Sequence, residues 1–427
     1  MPLPPSQPRS PFCAWKWWVC GLLLLATMIN YMDRLTINQT AKLIKDEIGI
    51  NNEQYGEIEY AFGLAFALGS LAIGWTVDRW NVRWIYPAAL LGWSIAGFLT
   101  GFAQGFVPLL ACRFALGLFE AGNWPCALRT TQRILRPDQR TLGNGILQSG
   151  AAIGAVFTPL IVQALVSGGG TWPYPFRVIG ALGAGWVLLW LATVRSEDLT
   201  LPPAESDSGA STAGPYERLR GPAVVRIYAD RRFLACLVMA VTINLTWHFF
   251  RVWLPLFLQE DRGFTPSQMN YFTAGYYLAT DAGSLTIGFA TLFLARGGMT
   301  VHGSRRLMFL CCMILTLFSV AVPWLANRMV VCGLLLVIGF GALGLFPIYY
   351  AFTQELTVRH QGKVNGMLGC LTWYATARMH PLVGKWLDQT QDYASIVVVA
   401  GLVPMLGFLA LLVLWKEPTV AKENTAT

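Results

Sequence analysis

The sequence predicts an all-α integral membrane protein, with twelve transmembrane helices in two pseudo-symmetric halves of six. Three observations support this fold class. Hydrophobic residues make up 55% of the chain and charged residues only 13%, whereas a soluble protein carries about 25% charged residues. Apolar stretches long enough to cross a bilayer recur along the chain. One polar segment near the middle divides these stretches into two groups.

The number of spans follows from the length of the apolar stretches. A helix needs about 20 residues to cross the hydrocarbon core of a membrane, and the chain has 427 residues. The predicted spans are residues 17–41, 54–76, 84–104, 107–130, 141–166, 175–194, 233–258, 267–295, 305–326, 329–354, 361–386 and 392–415.

The middle of the chain is predicted to be a cytoplasmic linker, at residues 195–232. It is rich in Pro, Gly and Ser and has too few apolar residues to form a core. It separates an N-terminal half, residues 1–194, from a C-terminal half, residues 233–427. Two such six-helix halves, with the binding site between them at the membrane midplane, form a known transporter plan.

The distribution of Lys and Arg predicts the orientation in the membrane. With both termini in the cytoplasm, 21 of the 31 Lys and Arg residues fall in inner segments and 5 in outer segments. Such an excess is typical of cytoplasmic loops. The net charge of +8 therefore reflects orientation and does not indicate a nucleic-acid partner. We expect a multi-pass plasma-membrane protein, located in the inner membrane if the source is bacterial, with its first span retained.

The sequence offers no pattern for a metal, a cofactor or an enzymatic centre. The nine cysteines form no CxxC motif or Cys/His ligand set, and most lie in apolar runs. They are therefore interpreted as packing residues. We also find no nucleophile triad or phosphate-binding loop. The chain is expected to act as a monomer, without metal or cofactor, and not as an enzyme.

Four charged residues within predicted spans form the main candidate site. Asp33 and Arg34 lie in the first span, and Arg113 and Glu120 lie in the fourth. A charge at the bilayer centre costs about 2.5–3.5 kcal/mol on insertion scales, so it usually faces a partner inside the bundle. Arg113 and Glu120 are two turns apart and share a helix face. The adjacent Asp33 and Arg34 must point in different directions. A proton and anion site and a set of structural ion pairs are both consistent with this pattern.

Further charged residues lie in other spans. Glu59 in span 2 is either a possible site residue or a solvated residue at the cavity mouth. Arg251 in span 7 and Arg378 in span 11 could complete an anion site from the C-terminal half. Asp281 in span 8 could contribute to the site or pair with Arg378. A lone buried histidine such as His380 is expected to be a hydrogen-bonded packing residue.

Polar and aromatic residues within the spans could contact a hydroxylated ligand, since such a ligand needs hydrogen bonds and flat apolar surfaces. Packing is the alternative for each of them. With Arg34 and Arg378, the candidate substrate contacts are Tyr31, Gln148, Trp373 and Asn365.

Several motifs resemble the major facilitator superfamily. The loop after span 2, Gly74-x-x-x-Asp78-Arg79-x-x-x-Arg83, matches the loop signature of that superfamily. Within it, residues 30–34 (NYMDR), 113–125 (RFALGLFEAGNWP) and 364–390 resemble the anion:cation symporter family. That family includes hexuronate, galactonate and glucarate transporters and is related to sialin.

The resemblance implies roles for individual residues. The acids matching Asp33 and Glu120 take part in proton coupling, and the arginine matching Arg34 anchors the substrate carboxylate. The arginine matching Arg113 pairs with acids and acts as a charge relay. Tyr31 and Gln148 match sugar-acid contacts more loosely.

Together these features predict a proton-coupled symporter that imports a small organic anion, most simply a hexuronate or aldonate, by alternating access. In this hypothesis a proton on Asp33 releases Arg34 from local pairing, so that Arg34 can bind the substrate. Asp78, Arg79 and Arg83 are expected to form a cytoplasmic gate. The alternatives are a carrier of a dicarboxylate or sialic acid, with Na⁺ coupling or by uniport, and a non-transporting sensor.

Overall fold

The computed structural model describes residues 13–135, 140–167, 170–199, 226–356 and 361–415, and these ranges fold into helices without a β-strand. The first half contains α1 (Cys13–Ile48), α2 (Asn52–Arg79), α3 (Val82–Thr100), α4 (Phe106–Glu120), α5 (Asn123–Ile134), α6 (Arg140–Val166) and α7 (Pro173–Thr193). The second half contains α8 (Arg231–Leu256), α9 (Pro266–Arg296), α10 (Val301–Leu317), α11 (Arg328–Gln354), α12 (Gln361–Thr390), α13 (Tyr393–Leu402) and α14 (Pro404–Leu414).

These helices combine into twelve segments that match the predicted spans. The pairs α4–α5 and α13–α14 each follow one another after a short interruption. α8 continues as a π-helical turn (Phe257–Asp261) and α10 as a 3₁₀ helix (Phe318–Trp324). Ten segments in the described part of the chain are long and apolar enough to cross a membrane. The other two, α1 and α12, have 36 and 30 residues but carry more polar side chains. The multi-pass helical fold is therefore confirmed, and the count of twelve spans stays a prediction.

Apolar side chains form three buried clusters. One lies within each half and the third joins the halves. In the joining cluster the ring of Tyr55 on α2 lies edge-on to Trp253 on α8, with ring centroids 5.4 Å apart. The principal contacts between the halves pair α2 with α12 and α6 with α9.

Glycines allow the closest helix approaches. A Cβ atom on Gly56 of α2 would overlap the carbonyl oxygen of His380 on α12, and one on Gly384 would overlap that of Asn52. Within the first half, Gly150 and Gly154 of α6 approach the α1 backbone in the same way. Small residues at helix contacts in membranes permit this close packing.

The α2–α12 contact should be sensitive to bulk at Gly56. We expect Gly56→Val to separate the halves at this contact, because overpacking a tight interface costs about 1–3 kcal/mol. Maleimide labelling of Ala377→Cys, a buried α12 position that faces Gly63 of α2, would become faster in a background without native cysteines. Gly369→Val on α12, where a Cβ meets open space, is the control. Equal labelling rates in the two variants would contradict the prediction.

Candidate substrate and proton site

Five charged side chains converge at the centre of the bundle. Arg34 comes from α1, Glu59 from α2, Arg113 and Glu120 from α4, and Arg251 from α8. None of the five residues is more than 5% exposed. Buried charges of this kind must be paired or hydrogen-bonded, because water no longer solvates them. Arg113 and Glu120 share one face of α4, as their seven-residue spacing predicts. Their partners, Glu59 and Arg34, therefore lie on neighbouring helices along that face.

The first ion pair joins α1 to α4. Arg34 donates from Nε and from Nη2 to the same oxygen of Glu120, Oε2, at 2.9 and 2.8 Å. Arg34 Nη2 also lies 3.4 Å from Asn30 Oδ1. The second oxygen, Glu120 Oε1, is buried and has no hydrogen-bond partner in the described part of the chain. One oxygen of this carboxylate therefore accepts two hydrogen bonds, while the other is unpaired among the described residues.

The second group links three helices through Glu59. Arg113 Nη2 donates to Glu59 Oε1 at 2.6 Å, and Arg251 Nη2 lies 3.5 Å from Glu59 Oε2. Asn38 adds a weaker contact to Oε1 at 3.3 Å. The interpretation of Glu59 as a solvated mouth residue is wrong, because Glu59 is 1% exposed. Its position between two arginines reflects the packing of α2 against α4 and the reach of the Arg251 side chain from α8.

Asp33 points away from this group, as adjacency to Arg34 on a helix requires. One carboxylate oxygen, Oδ1, lies beside Gly97 of α3. A Cβ atom added to Gly97 would lie only 2.7 Å from this oxygen, so the glycine leaves space for the Asp33 carboxylate. The other, Oδ2, is buried without a hydrogen-bond partner among the described residues. Arg34 pairs with Glu120 and not with Asp33, in line with the expected divergence of the two adjacent residues.

Aromatic rings enclose the Arg34 guanidinium. Its central carbon lies 5.0–5.5 Å from four ring centroids, within the range of cation–π attraction. Phe66 of α2 and Trp373 of α12 stack at 4.4 Å across the two halves, and His248 of α8 lies edge-on to Trp373 at 4.6 Å. The four rings belong to Tyr31, Phe62, Phe66 and Trp373, and we call them the aromatic cage.

A comparison with protein families decides what kind of protein carries this site. A family model described as Major Facilitator Superfamily matches residues 23–377. The chain belongs to the major facilitator superfamily. The resemblance seen in the sequence motifs is thereby confirmed, and the charged centre lies at the junction of the two halves of a major facilitator fold.

Curated relatives of this major facilitator transport organic acids. The chain is 28% identical to the probable sulfoacetate transporter SauU of Cupriavidus necator, over 95% of each chain. It is 26% identical to a D-galactonate transporter of Escherichia coli, covering 92% of this chain and 94% of the relative. It is 24% identical to the hexuronate transporter of Escherichia coli, over 95% of each. The protein is thus a member of a group of transporters.

The fold also matches a solved structure. A bacterial homologue of the human lysosomal transporter Spinster superposes with a TM-score of 0.73 and 18% identity, covering 95% of both chains. This likeness supports the fold of the major facilitator described above.

Other candidate residues of this major facilitator lie outside the charged centre. Arg378 is exposed on α12, with its guanidinium 5.6 Å from the Tyr60 ring centroid. Asp281 is partly exposed on α9, one turn from Tyr277. Among the described residues it forms no ion pair with Arg378, which instead lies near Tyr60. Gln148 and Asn365 are exposed on α6 and α12. His380 accepts a hydrogen bond from Trp253 Nε1 at 3.2 Å, as expected for a packing histidine.

The predicted cytoplasmic gate is only partly visible. The side chains of Asp78 and Arg79 lie outside the described residues. Arg83 is described, and its Nη2 lies 3.5 Å from the Leu191 carbonyl oxygen, with its guanidinium 5.1 Å from the Trp84 ring centroid. The structure therefore places Arg83 against α7.

The opposite end of the bundle contains polar contacts that the sequence analysis did not find. We call it the closed end, where residues 48–52, 261–266 and 390–393 connect helices. Lys45 Nζ lies 2.6 Å from Glu260 Oε1. Asp388 of α12 accepts hydrogen bonds from the backbone N–H groups of Asn52 at 3.0 Å and Glu53 at 2.8 Å. A carboxylate is favourable at a helix N-terminus, so Asp388 joins the second half to the start of α2.

Proposed function

We propose that the protein is a proton-coupled symporter that imports a small organic anion, in the simplest case a sugar acid such as a hexuronate or aldonate. The observation that carries this proposal is Arg34, a buried arginine held by one oxygen of Glu120 inside the aromatic cage. A carboxylate substrate can replace Glu120 at the guanidinium, and the ring faces can pack against the C–H groups of a sugar chain. The acids named in the relatives agree with this chemistry.

Coupling to protons would begin at Glu120. Its free oxygen, Oε1, is poised to take a proton, and a neutral Glu120 no longer competes as an anion for Arg34. The substrate carboxylate then becomes the better partner, so that proton and anion bind together. Asp33 is the second proposed proton site, since its Oδ2 is also unpaired among the described residues. Arg113 would hold Glu59 and keep the α2–α4 side of the site in place.

Transport requires the site to open to each side in turn. Under the predicted orientation, with both termini cytoplasmic, the closed end is the outer end. The present arrangement would then be the state closed to the outside. Rocking of the two halves would break the closed-end contacts and form contacts at the opposite end, where the gate residues Asp78, Arg79 and Arg83 are proposed to act.

Uptake by the purified protein in liposomes tests the proposal. We expect an inward gradient of one pH unit to drive about tenfold accumulation for one proton per monoanion, because one unit corresponds to about 1.4 kcal/mol. Radiolabelled galactonate and glucuronate would be followed with and without a protonophore. Uptake that does not depend on the pH gradient but increases with an inward Na⁺ gradient would favour the Na⁺-coupled alternative. Binding without any uptake would favour the sensor.

A further inference from the structure

Arg251 is a buried cation whose hydrogen-bonding capacity is largely unused. It lies on α8 in the second half and is 3% exposed. Its single ion-pair contact among the described residues is the 3.5 Å approach of Nη2 to Glu59 Oε2. Neither Nε nor Nη1 has a hydrogen-bond partner in the described ranges. An arginine presents five N–H donors in a planar fork, so most of the Arg251 fork is free for a ligand.

Glu59 does not satisfy Arg251, because it is already committed to another arginine. Arg113 approaches Glu59 at 2.6 Å, almost 1 Å closer than Arg251 does. Asn38 donates to the same Glu59 oxygen as Arg113. Glu59 therefore balances the charge of Arg113, and Arg251 remains the cation without a dedicated carboxylate.

Arg251 and Arg34 approach the same space from different halves. His248 lies one turn before Arg251 on α8. Its ring contacts Trp373, which also forms one wall of the aromatic cage around Arg34. Arg113, which shares Glu59 with Arg251, also places Nη2 3.4 Å from the backbone carbonyl oxygen of Arg34. The His248–Trp373 contact and the Glu59–Arg113 pair therefore both connect the surroundings of Arg34 with those of Arg251.

The charge balance at the centre changes when a proton binds. The five converging residues comprise three arginines and two glutamates, so with the neighbouring Asp33 protonated, as proposed above, they carry one net positive charge when both glutamates are ionised. A proton on Glu120 raises this to two, located on Arg34 and Arg251. A monoanion would leave one of these charges buried and unbalanced, which is costly. An anion with two acidic groups would neutralise both.

We infer that Arg251 forms a second anion subsite and that the preferred substrate is a dianion, with one acidic group on Arg34 and the other on Arg251. This inference rests on the proposed function and specifies its substrate class. Dicarboxylic sugar acids and short sulfonate–carboxylates have the required chemistry. Binding across the two halves would also let the substrate itself draw them together.

A matched pair of ligands tests the inference. Galactarate and galactonate share the same carbon chain, and galactarate has a second terminal carboxylate. We expect purified protein to bind galactarate at least about 10-fold more tightly, the effect of one hydrogen-bonded charged group. Arg251→Gln should weaken galactarate binding by about 10–100-fold and leave galactonate binding unchanged. Arg251→Lys keeps the charge, so its affinity for galactarate should lie between those of the unchanged protein and Arg251→Gln.

Arg296→Gln is the matched control, since it removes an exposed arginine at the end of α9, outside the charged centre. It should leave both affinities unchanged. An equal loss of affinity for galactarate and galactonate in Arg251→Gln would overturn the inference and assign Arg251 a structural role. Proton-driven uptake of both acids without a preference for galactarate would overturn the dianion inference while the proposed function stands. Failure of proton-driven uptake for both acids would overturn the proposed function and this inference with it.

Discussion

Arg34→Ala is expected to abolish substrate binding and uptake. The variant removes the proposed anchor for the substrate carboxylate, and hydrogen bonds to a charged group contribute about 1.5–3 kcal/mol each. A loss of at least about 100-fold in affinity follows for a two-bond contact. Ligand-dependent thermal stabilisation of the purified protein measures the binding, and liposome uptake measures transport.

Stability must be separated from binding in this experiment, because Arg34→Ala also leaves Glu120 buried without its partner. Breaking a buried pair in this way costs about 3–5 kcal/mol. The double variant Arg34→Ala/Glu120→Gln removes the unpaired charge, so its melting temperature should recover while substrate binding does not. Undiminished binding by the folded double variant would remove Arg34 from the anchor role.

Glu120→Gln is expected to uncouple transport from protons. The amide cannot accept and release a proton at this position, and Arg34 stays free of its ion pair in every state. We therefore expect accumulation driven by a pH gradient to fall to the level seen with protonophore. Exchange of external for internal substrate, which needs no net proton movement, should persist. Counterflow and gradient-driven uptake in the same liposomes provide the measurement.

Asp33→Asn provides the comparison, since it removes the other proposed proton site without touching Arg34. The same loss of gradient-driven uptake, with exchange retained, is expected if both acids carry protons. Full accumulation by Asp33→Asn would remove Asp33 from coupling and leave Glu120 as the single site. Full accumulation by Glu120→Gln would contradict the mechanism proposed for Arg34.

Much of the architecture was predictable because the physical constraint is simple. A helix that crosses a bilayer needs a long apolar stretch, and such stretches can be read from the sequence. The convergence of Arg34, Arg113 and Glu120 was predictable for a related reason: charges within spans seek partners inside the bundle. Helical spacing also predicted that Asp33 and Arg34 diverge.

The choice of partners could not be predicted in the same way. Spacing along one helix fixes which residues share a face, but it does not fix which face of the neighbouring helix they meet. Glu59 illustrates this: its contacts with Arg113 and Arg251 depend on how α2 packs against α4 and on how far the Arg251 side chain reaches from α8. The exposed position of Arg378 likewise follows from the rotation of α12, which its sequence alone does not determine.

The capping of α2 by Asp388 has a consequence for how this chain can change over time. The donors in this contact are main-chain amides, which every residue except proline provides. Residues other than Asn52 and Glu53 could therefore donate the same two hydrogen bonds, whereas the acceptor must be the carboxylate of Asp388. This contact between the halves therefore depends on the amino acid at one position of the second half, and a single substitution of Asp388 can remove it.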